Sequence, residues 1–491
     1  MYSSQRISPN AAFCSLLISI AFCFISPFTA QSQSVVKGAK QLQAHFLGKT
    51  APLRELAPLS ATAPGKLAEA KKNKPKIAPP NFSGFPKAQK RAVKALPLGE
   101  DPVRQIASGE NSGIIVVPKV VIEGIDEATT EIQVPDTNGD ISPESYIQTV
   151  NASYFQIFGK DGTPLGAPIS TNTLWSQINR SSFGDPVILY DADAGRWLLT
   201  DLASFDEVLY AVSETGDPLG SWFIYSFLSD GFTDYPKYGI WPNAYILTVG
   251  DFTSESPVLA INRAQMLAGA SQVDVQKLGI PVIPNGGYPM MTPMGWSGNT
   301  PAANNAKPAF LRIHDDAWGN ITTDQVEIWT MDIDWADPAN TSLSPQFLTT
   351  APFDSDPCTY QNVGYQCVPQ PNSDMGIDAI ATIITNKVTY RNFGTHEGAV
   401  LTFTVDAADN VAGIRWIELR RTAGSSDWSV YQEGTFAPND GLQRFIGSVA
   451  LNDRGDIGLG YAVSSTDKFP SLRFTGRRAT DPLGEMTVEE F

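Results

Sequence analysis

Hydrophobic and polar residues alternate with a period of two along much of the chain. Such runs lie at Gly398–Asp406, Val326–Met331 and Arg444–Leu451. In the third run, one face is expected to carry Phe445, Gly447, Val449 and Leu451. Short alternating runs bounded by Gly, Asp, Asn and Pro are typical of strands joined by turns. The pattern therefore predicts an all-β protein, with Pro257–Ala270 as the best candidate for a short helix.

Many short strands in one chain leave three architectures, namely sandwiches, a solenoid or a propeller. Two copies of Tyr-Ala-Val-Ser, at Tyr210–Ser213 and Tyr461–Ser464, are each followed by Asp-Pro-Leu-Gly. If they mark a repeat, the similarity favours a β-propeller; chance similarity is the alternative. At about 50 to 60 residues per blade, the region has room for six or seven four-stranded blades.

Charge divides the 491 residues into two parts. Residues 31–110 carry 14 Lys and Arg against 5 Asp and Glu, whereas residues 111–491 carry 20 against 46. We expect residues 31–112 to be a basic, Pro-rich and largely disordered linker, and residues 113–491 to be the propeller. The linker could instead dock on the acidic domain as a basic arm. The acidic body argues against a nucleic-acid partner.

The N-terminus has the pattern of a secretory signal peptide over residues 1–30. Arg6 precedes the apolar run Ala11–Ile25, which is short for a membrane anchor, and small residues follow near Ala30. We expect cleavage there and no membrane span afterwards; an uncleaved anchor is the alternative. Cleavage leaves Cys358 and Cys367, an even pair that we expect to form a disulfide. Two buried free thiols are the alternative.

Several segments resemble a group of secreted bacterial β-propeller proteins that has no assigned activity. The resemblance covers roughly residues 135–486, so it implies the fold and export rather than a reaction. The turns Asp191–Trp197 and Asp453–Gly460 are also similar to the Asp-box turns of sialidase-like propellers, although their Ser and Thr positions differ. The segments that resemble the group are Pro135–Asp140, Tyr146–Asn151, Gly184–Asp191, Arg196–Leu198, Tyr390–Gly394, Gly413–Trp416 and Pro470–Arg477.

One motif could hold a metal ion. Asp136, Asn138 and Asp140 place three oxygen-bearing side chains at alternate positions, with Glu144 four residues on. Calcium prefers several converging oxygens, so the motif is a candidate calcium site. However, Ile141 stands at the glycine position of an EF-hand loop. An Asx-rich turn that needs no metal is the alternative, and no other cofactor is expected.

A carboxylate-rich stretch offers candidates for catalysis. Glycoside hydrolysis needs two carboxylates, but in strand-turn geometry such residues usually cap turns. A sialidase would also need an arginine cluster, and Leu311–His314 is only a distant match to its Phe-Arg-Ile-Pro motif. His314 and His396 are too few for a clustered zinc site. The stretch contains Asp185, Asp191, Asp193, Asp201, Asp206 and Glu207.

We therefore expect a secreted, bacterial, non-catalytic propeller that binds an extracellular ligand at its mouth. The ligand could be a glycan or a protein, and the protein is expected to be monomeric. Ten tryptophans could stack on sugars or pack between blades. The alternative function is a glycoside hydrolase or lyase-like enzyme that uses carboxylates at the mouth.

Overall fold

The computed structural model describes residues 34–56, 101–107, 120–126 and 136–490. Short gaps within the last range lie at 152, 230, 232–233, 251–254, 284–286, 289, 299, 304–305, 319–320, 358–365, 409 and 488. The expected signal peptide lies outside the described residues. From Val35 onward the chain belongs to one unit. Among the described residues, no helix has the length and hydrophobicity needed to cross a membrane.

The described residues before Asp136 contain three strands and one short helix. They are β1 (Val36–Lys37), β2 (Lys40–Lys49), helix α1 (Leu53–Leu56) and β3 (Arg104–Gln105).

Six antiparallel meanders then follow one another, and within each the strands pair in chain order. Sheet 1 contains β4 (Asn138–Ile141), β5 (Ser145–Val150), β6 (Tyr154–Gly159) and β7 (Ile169–Ser170). Sheet 2 contains β8 (Gly184–Asp191), β9 (Arg196–Leu202), β10 (Glu207–Ser213) and β11 (Trp222–Leu228). Sheet 3 contains β12 (Lys237–Trp241), β13 (Ala244–Thr248), β14 (Glu255–Asn262) and β15 (Gln272–Pro281).

The second half of the chain repeats this order. Sheet 4 contains β16 (Thr292–Trp296), β17 (Ala309–His314), β18 (Gln325–Asp332) and β19 (Ser342–Thr349). A two-stranded ribbon follows, formed by β20 (Gln366–Val368) and β21 (Ile377–Asp378). Sheet 5 contains β22 (Val388–Asn392), β23 (His396–Asp406), β24 (Ala412–Thr422) and β25 (Ser429–Phe436). Sheet 6 contains β26 (Gln443–Leu451), β27 (Ile457–Ser464) and β28 (Ser471–Arg477), and the chain end adds a bridge between Phe474 and Glu490.

Helices are short and lie between strands. They are α2 (Asn172–Trp175), α3 (Arg263–Leu267) and the 3₁₀ turns Ser176–Ile178 and Pro338–Asn340. The described chain is therefore nearly all β, which confirms the predicted class.

The first strands of the sheets contact each other in chain order from β4 to β26. Strand β16 pairs in parallel with β22, which joins sheets 4 and 5 in one ten-stranded sheet with β1 and β3 at its edges. Side-chain hydrogen bonds from alternate residues show the same parallel direction for β4 with β8 and for β22 with β26. Apolar side chains fill the space between sheets; for example, Val400 and Trp416 of sheet 5 pack with Val449 and Leu459 of sheet 6. Consecutive meanders stacked through their first strands resemble the blades of a propeller.

The N-terminal region differs from the expected disordered linker. Strand β2 inserts between β11 and β15, antiparallel to both, so that sheets 2 and 3 become one nine-stranded sheet. Strand β1 pairs with β19, and β3 pairs in parallel with β25. Strand edges offer unpaired backbone groups that an extended segment can satisfy whatever its side chains are. Leu42, Ala44 and Phe46 alternate with polar residues and pack against the core shared by sheets 2 and 3, so the signal for a strand was present in the sequence and was missed.

The prediction of a short helix at Pro257–Ala270 was wrong in its extent. Pro257–Ala270 is not one helix, because β14 continues to Asn262 and α3 begins only at Arg263. The Asn262 side chain accepts a hydrogen bond from the Gln265 backbone N–H and so starts the helix there. Strand β14 is buried on both faces, and such a run cannot be distinguished from a helix by periodicity alone.

The run Arg444–Leu451 and the apparent Tyr-Ala-Val-Ser repeat also differ from expectation. A bulge in β26 shifts the register between Phe445 and Ser448, so Phe445 packs beside Val368 while Val449 faces sheet 5. Tyr210–Ser213 lies in the third strand of sheet 2, but Tyr461–Ser464 lies in the second strand of sheet 6. The two copies are therefore not equivalent, and what recurs is the meander rather than this motif.

Candidate functional site at the beginnings of the first strands

Three aspartates lie where the first strands of sheets 1, 2 and 3 begin. Asp136 precedes β4, Asp185 is the second residue of β8, and Asp234 precedes β12. They follow one another at equal intervals of 49 residues. Because the first strands run parallel, their beginnings lie at the same end of the stack. Asp136 and Asp185 have positive φ angles of 37° and 58°, which Asp tolerates better than most residues.

Hydrogen bonds connect the three aspartates across the sheets. Asn151 donates from Nδ2 to Asp136 Oδ2 at 2.9 Å and accepts from the Asp185 backbone N–H at 3.2 Å. The Tyr235 backbone N–H donates to Asp234 Oδ1 at 2.8 Å and to Asp185 Oδ2 at 3.2 Å. The carboxylates are thus held in place by neighbouring backbone and amide groups rather than by cationic side chains.

Burial raises the pKa of these carboxyls, and neighbouring charges raise that of Asp185 and Asp136 further. Burial, followed by the charges of Asp234 and Asp136, raises the pKa of Asp185 to about 7. Burial also raises the pKa of Asp136 and of Asp234. A fourth carboxylate, Asp378 at the end of β21, has its pKa raised by burial as well. Asp185 therefore titrates near neutral pH, where an isolated aspartate is ionised.

The charges converge on one tyrosine. Burial raises the pKa of Tyr235, and the charges of Asp136, Asp185, Asp378 and Asp234 raise it further. These four carboxylates come from the segments before or within the beginnings of sheets 1, 2, 3 and 5. Loops that are far apart in sequence therefore meet at one place.

An aromatic pair and a lysine complete the site. The rings of Tyr235 and Tyr288 lie 6.1 Å apart, centroid to centroid, at an interplanar angle of 69°. Lys237 Nζ lies 5.2 Å from the centroid of the Tyr235 ring and donates to the Asn386 carbonyl at 2.8 Å. Burial lowers the pKa of Lys237 to about 7. Lys237 belongs to sheet 3 and Asn386 precedes β22, so this contact links sheets 3 and 5.

The structure does not bring the predicted calcium ligands together. Asn138 Oδ1 accepts from the Ile188 backbone N–H at 3.1 Å, and Asp140 Oδ2 accepts from the Tyr190 backbone N–H at 3.0 Å. Ile188 and Tyr190 are alternate residues of β8, so the two side chains that accept from them lie about 6.5 Å apart. Asn138 and Asp140 therefore connect β4 to β8, while Asp136 belongs to the site described above.

Of the carboxylate-rich stretch, only Asp185 belongs to this site. Asp191 is fully buried and forms a salt bridge with Arg263, which also contacts Asp193. Asp201 accepts hydrogen bonds from Thr171, Trp175 and Ser182. Asp206 accepts from Ser204, and Glu207 pairs with Arg180. These five residues stabilise local structure.

Sequence reasoning missed a second acidic group. The carboxylate oxygens of Asp315, Asp316 and Asp324 lie within 4.8 Å of one another. Burial and the charge of Asp315 contribute to raising the pKa of Asp324 to about 7. Asp315 and Asp324 already accept hydrogen bonds from backbone N–H groups, including those of Ser355 and Phe353. The group has the spacing for a cation, but its hydrogen bonds account for it without one.

The remaining predicted residues fall in other places. Cys367 lies in β20, whereas Cys358 lies outside the described residues, so the disulfide stays a prediction. Five tryptophans are almost completely buried and pack within the sheets rather than facing a ligand; they are Trp175, Trp197, Trp222, Trp241 and Trp416.

The chain has no match among protein-family models or curated proteins. Similar solved structures include an endo-arabinase from Bacteroides thetaiotaomicron, with 14% identity over 62% of this chain and 96% of that one and a TM-score of 0.30. A subtype N10 neuraminidase-like protein from a bat isolate has 10% identity over 70% and 95%, with a TM-score of 0.36. Cobalt-substituted Synechocystis ACO has 11% identity over 72% and 71%, with a TM-score of 0.38. At this level of similarity they carry no argument about function.

Proposed function

We propose that the protein is a secreted bacterial β-propeller that binds a glycan where its first strands begin. In this proposal the six sheets are six blades, and the site of Asp136, Asp185, Asp234 and Asp378 is the mouth. The observation that carries it is the hydrogen-bonded group of Asp136, Asp185 and Asp234 with Asn151 and the Tyr235 backbone, which joins the beginnings of sheets 1, 2 and 3. Such convergence is expected where blades surround a common axis.

The chemistry of the site suits a neutral, hydroxyl-rich ligand. Ionised carboxylates accept hydrogen bonds from hydroxyls, and a protonated Asp185 donates one. The rings of Tyr235 and Tyr288 offer apolar faces to sugar C–H groups. Although their surroundings are crowded enough to raise their pKa, Asp136 and Asp378 keep exposed surface that can reach such a ligand. We propose a monomeric binding protein without a nucleic-acid partner, since the carboxylates would repel phosphate.

One observation favours a second function, a glycoside hydrolase. Its acid must be protonated at neutral pH while a second carboxylate is ionised. With a pKa of about 7, Asp185 is the candidate acid, and its neighbours Asp136 and Asp234 are the candidates for the second carboxylate. The two functions share the site but differ in whether the bound glycan is cleaved.

A glycan array with the full chain, with and without calcium, tests binding. We expect bound glycans, and we expect Asp185→Ala, which removes the carboxyl that bonds the ligand, to weaken binding about tenfold. Asp332→Ala is the control, because Asp332 lies at the C-terminal end of β18, pairs with Lys307 and is 60% exposed. Release of new reducing ends by the wild type, absent in Asp185→Ala, would favour the hydrolase. A silent array would refute both functions.

A further inference from the structure

One N-terminal segment, residues 36–56, lies along the outer edges of three sheets, and we call it the N-terminal strap. It contains β1, β2 and α1. Strand β1 pairs with β19 of sheet 4, and β2 pairs with β15 of sheet 3 and with β11 of sheet 2. The Leu53 N–H then donates to the Gly220 carbonyl at 2.9 Å, in the turn between β10 and β11. The strap therefore connects sheets 4, 3 and 2.

The pairing of β2 joins residues that are far apart in the chain. His45 lies opposite Ser226 in β11 and opposite Gln272 in β15, which are 181 and 227 residues further on. By contrast, every other strand of sheets 2 and 3 pairs with a strand that is next to it in the chain. Local hairpins form readily, whereas long-range pairing must first close a long loop. We therefore expect the strap to dock last during folding and to leave first.

Few side chains of the strap are buried. Ala44 and Leu53 are the only apolar side chains of residues 36–56 that are fully buried. Leu42 and Phe46 are partly buried against the core shared by sheets 2 and 3. Backbone hydrogen bonds to two strand edges therefore make up much of the attachment. Release of the strap breaks none of the hairpins within sheets 2 and 3, because it takes no part in them.

The contacts between the first strands of sheets 2 and 3 do not involve the strap. The Tyr235 N–H donates to Asp234 Oδ1 at 2.8 Å and to Asp185 Oδ2 at 3.2 Å. Strands β8 and β12 also contact each other directly. They are the two end strands of the nine-stranded sheet, whereas β2 is its middle strand. Release of the strap therefore lets β11 and β15 separate while the contacts between β8 and β12 are kept.

We propose that the N-terminal strap is a separate cooperative unit that opens and closes between sheets 2 and 3 while both sheets stay folded. Closed, it holds β11 and β15 two strand spacings apart, about 9–10 Å. Open, it leaves unpaired backbone groups on the edges of β11 and β15. The strap is thus a conformational device that fixes the relative position of the sheets that carry Asp185 and Asp234.

Hydrogen exchange of the full chain at pH 7, followed by mass spectrometry, tests the proposal. We expect one common protection factor for the amides of residues 36–56 and for the amides of β11 and β15 that bond to β2. It should be at least about tenfold lower than that of β23 and β24, in the core of sheet 5. Strap amides as protected as those of β23 and β24 would overturn the proposal. Unequal protection of β2 and of the edges that it bonds would also overturn it, because the strap would then fray rather than open as a unit.

A disulfide between β2 and β15 tests whether the opening is a separation of these strands. The Phe46 N–H donates to the Ser271 carbonyl, so the next pair, His45 and Gln272, is non-hydrogen-bonded with Cα atoms about 4.5 Å apart. This distance suits a disulfide in the double variant His45→Cys and Gln272→Cys. Both positions are exposed, so we expect the substitutions to leave the fold unchanged.

The oxidised double variant should raise the protection factor of the strap at least about tenfold. The matched control carries His45→Ser and Gln272→Ser in the same oxidising buffer and should keep the wild-type value. If the oxidised strap exchanges as fast as this control, the strap does not open by leaving β15 and the proposal is wrong.

Discussion

Replacing Asp101 with alanine tests whether the segment before the sheets belongs to the folded protein. Asp101 Oδ2 accepts from Arg415 Nη2 at 2.8 Å and from Thr435 Oγ1 at 2.7 Å. The side chains of Asp101 and Arg415 are both 0% exposed. Asp101 thus ties a segment that was expected to be a linker to the middle of sheet 5.

The expected loss of stability follows from the burial of the Asp101–Arg415 ion pair. Removing one partner of a buried ion pair leaves the other charge uncompensated, which typically costs 3–5 kcal/mol. Glu433 still lies 3.0 Å from Arg415 Nη1 and compensates part of the charge. We therefore expect Asp101→Ala to lower the free energy of unfolding by about 3 kcal/mol, at the lower end of that range.

Urea unfolding at pH 7, followed by tryptophan fluorescence, measures the loss. The matched control is Asp332→Ala, which breaks a 2.7 Å pair with Lys307 whose side chains are 43% and 60% exposed. Exposed pairs contribute little, so the control should change stability by less than about 1 kcal/mol. If Asp101→Ala costs no more than this control, the segment does not stabilise the domain and the reasoning is refuted.

Three further predictions concern pH and strand β2. The folded state keeps a proton on Asp185 up to about pH 7, whereas the unfolded state releases it near pH 3.8. Stability should therefore fall as pH rises between these values. Thermal melts across this pH range should show a smaller fall for Asp185→Asn than for the wild type. Lys237 loses its proton near pH 7 in the folded state and near pH 10.5 in the unfolded state, so stability should rise with pH between these values. If a Lys237→Met variant shows the same rise, the rise does not come from Lys237. Ala44→Asp places a charge at the buried position of β2 and should lower the free energy of unfolding in urea by about 3 kcal/mol or more. The control His45→Asp changes an exposed position and should cause no comparable loss. Equal losses in the two variants would contradict the placement of β2.

The sequence predicts a strand correctly where apolar and polar residues alternate along it. The run Gly398–Asp406 lies in β23 and Val326–Met331 lies in β18, as the period of two predicted. Strand β2 carries the same signal, because Leu42, Ala44 and Phe46 alternate with polar residues and pack against the core of sheets 2 and 3, but the basic, Pro-rich composition around it led to the prediction of a linker. Only the tertiary structure shows that β2 lies between β11 and β15.

Some residues of the candidate site were indicated by the sequence, and others only by the structure. Asp136 and Asp185 were noticed in the sequence, but for different reasons: one as a metal ligand and one as part of a carboxylate-rich stretch. Asp234 completes the interval of 49 residues, which is a signal in the sequence that could have united all three. Tyr288 and Asp378 follow no such interval, so only the packed structure identifies them.

The amino-acid sequence by itself determined the all-β class and most strand positions, because alternation and turn residues act over a few neighbouring positions. The tertiary structure alone decided which carboxylates meet, since that depends on parallel first strands from sheets far apart in the chain. It also decided their protonation, because a carboxyl group such as Asp185 has a raised pKa only when burial and neighbouring charges surround it.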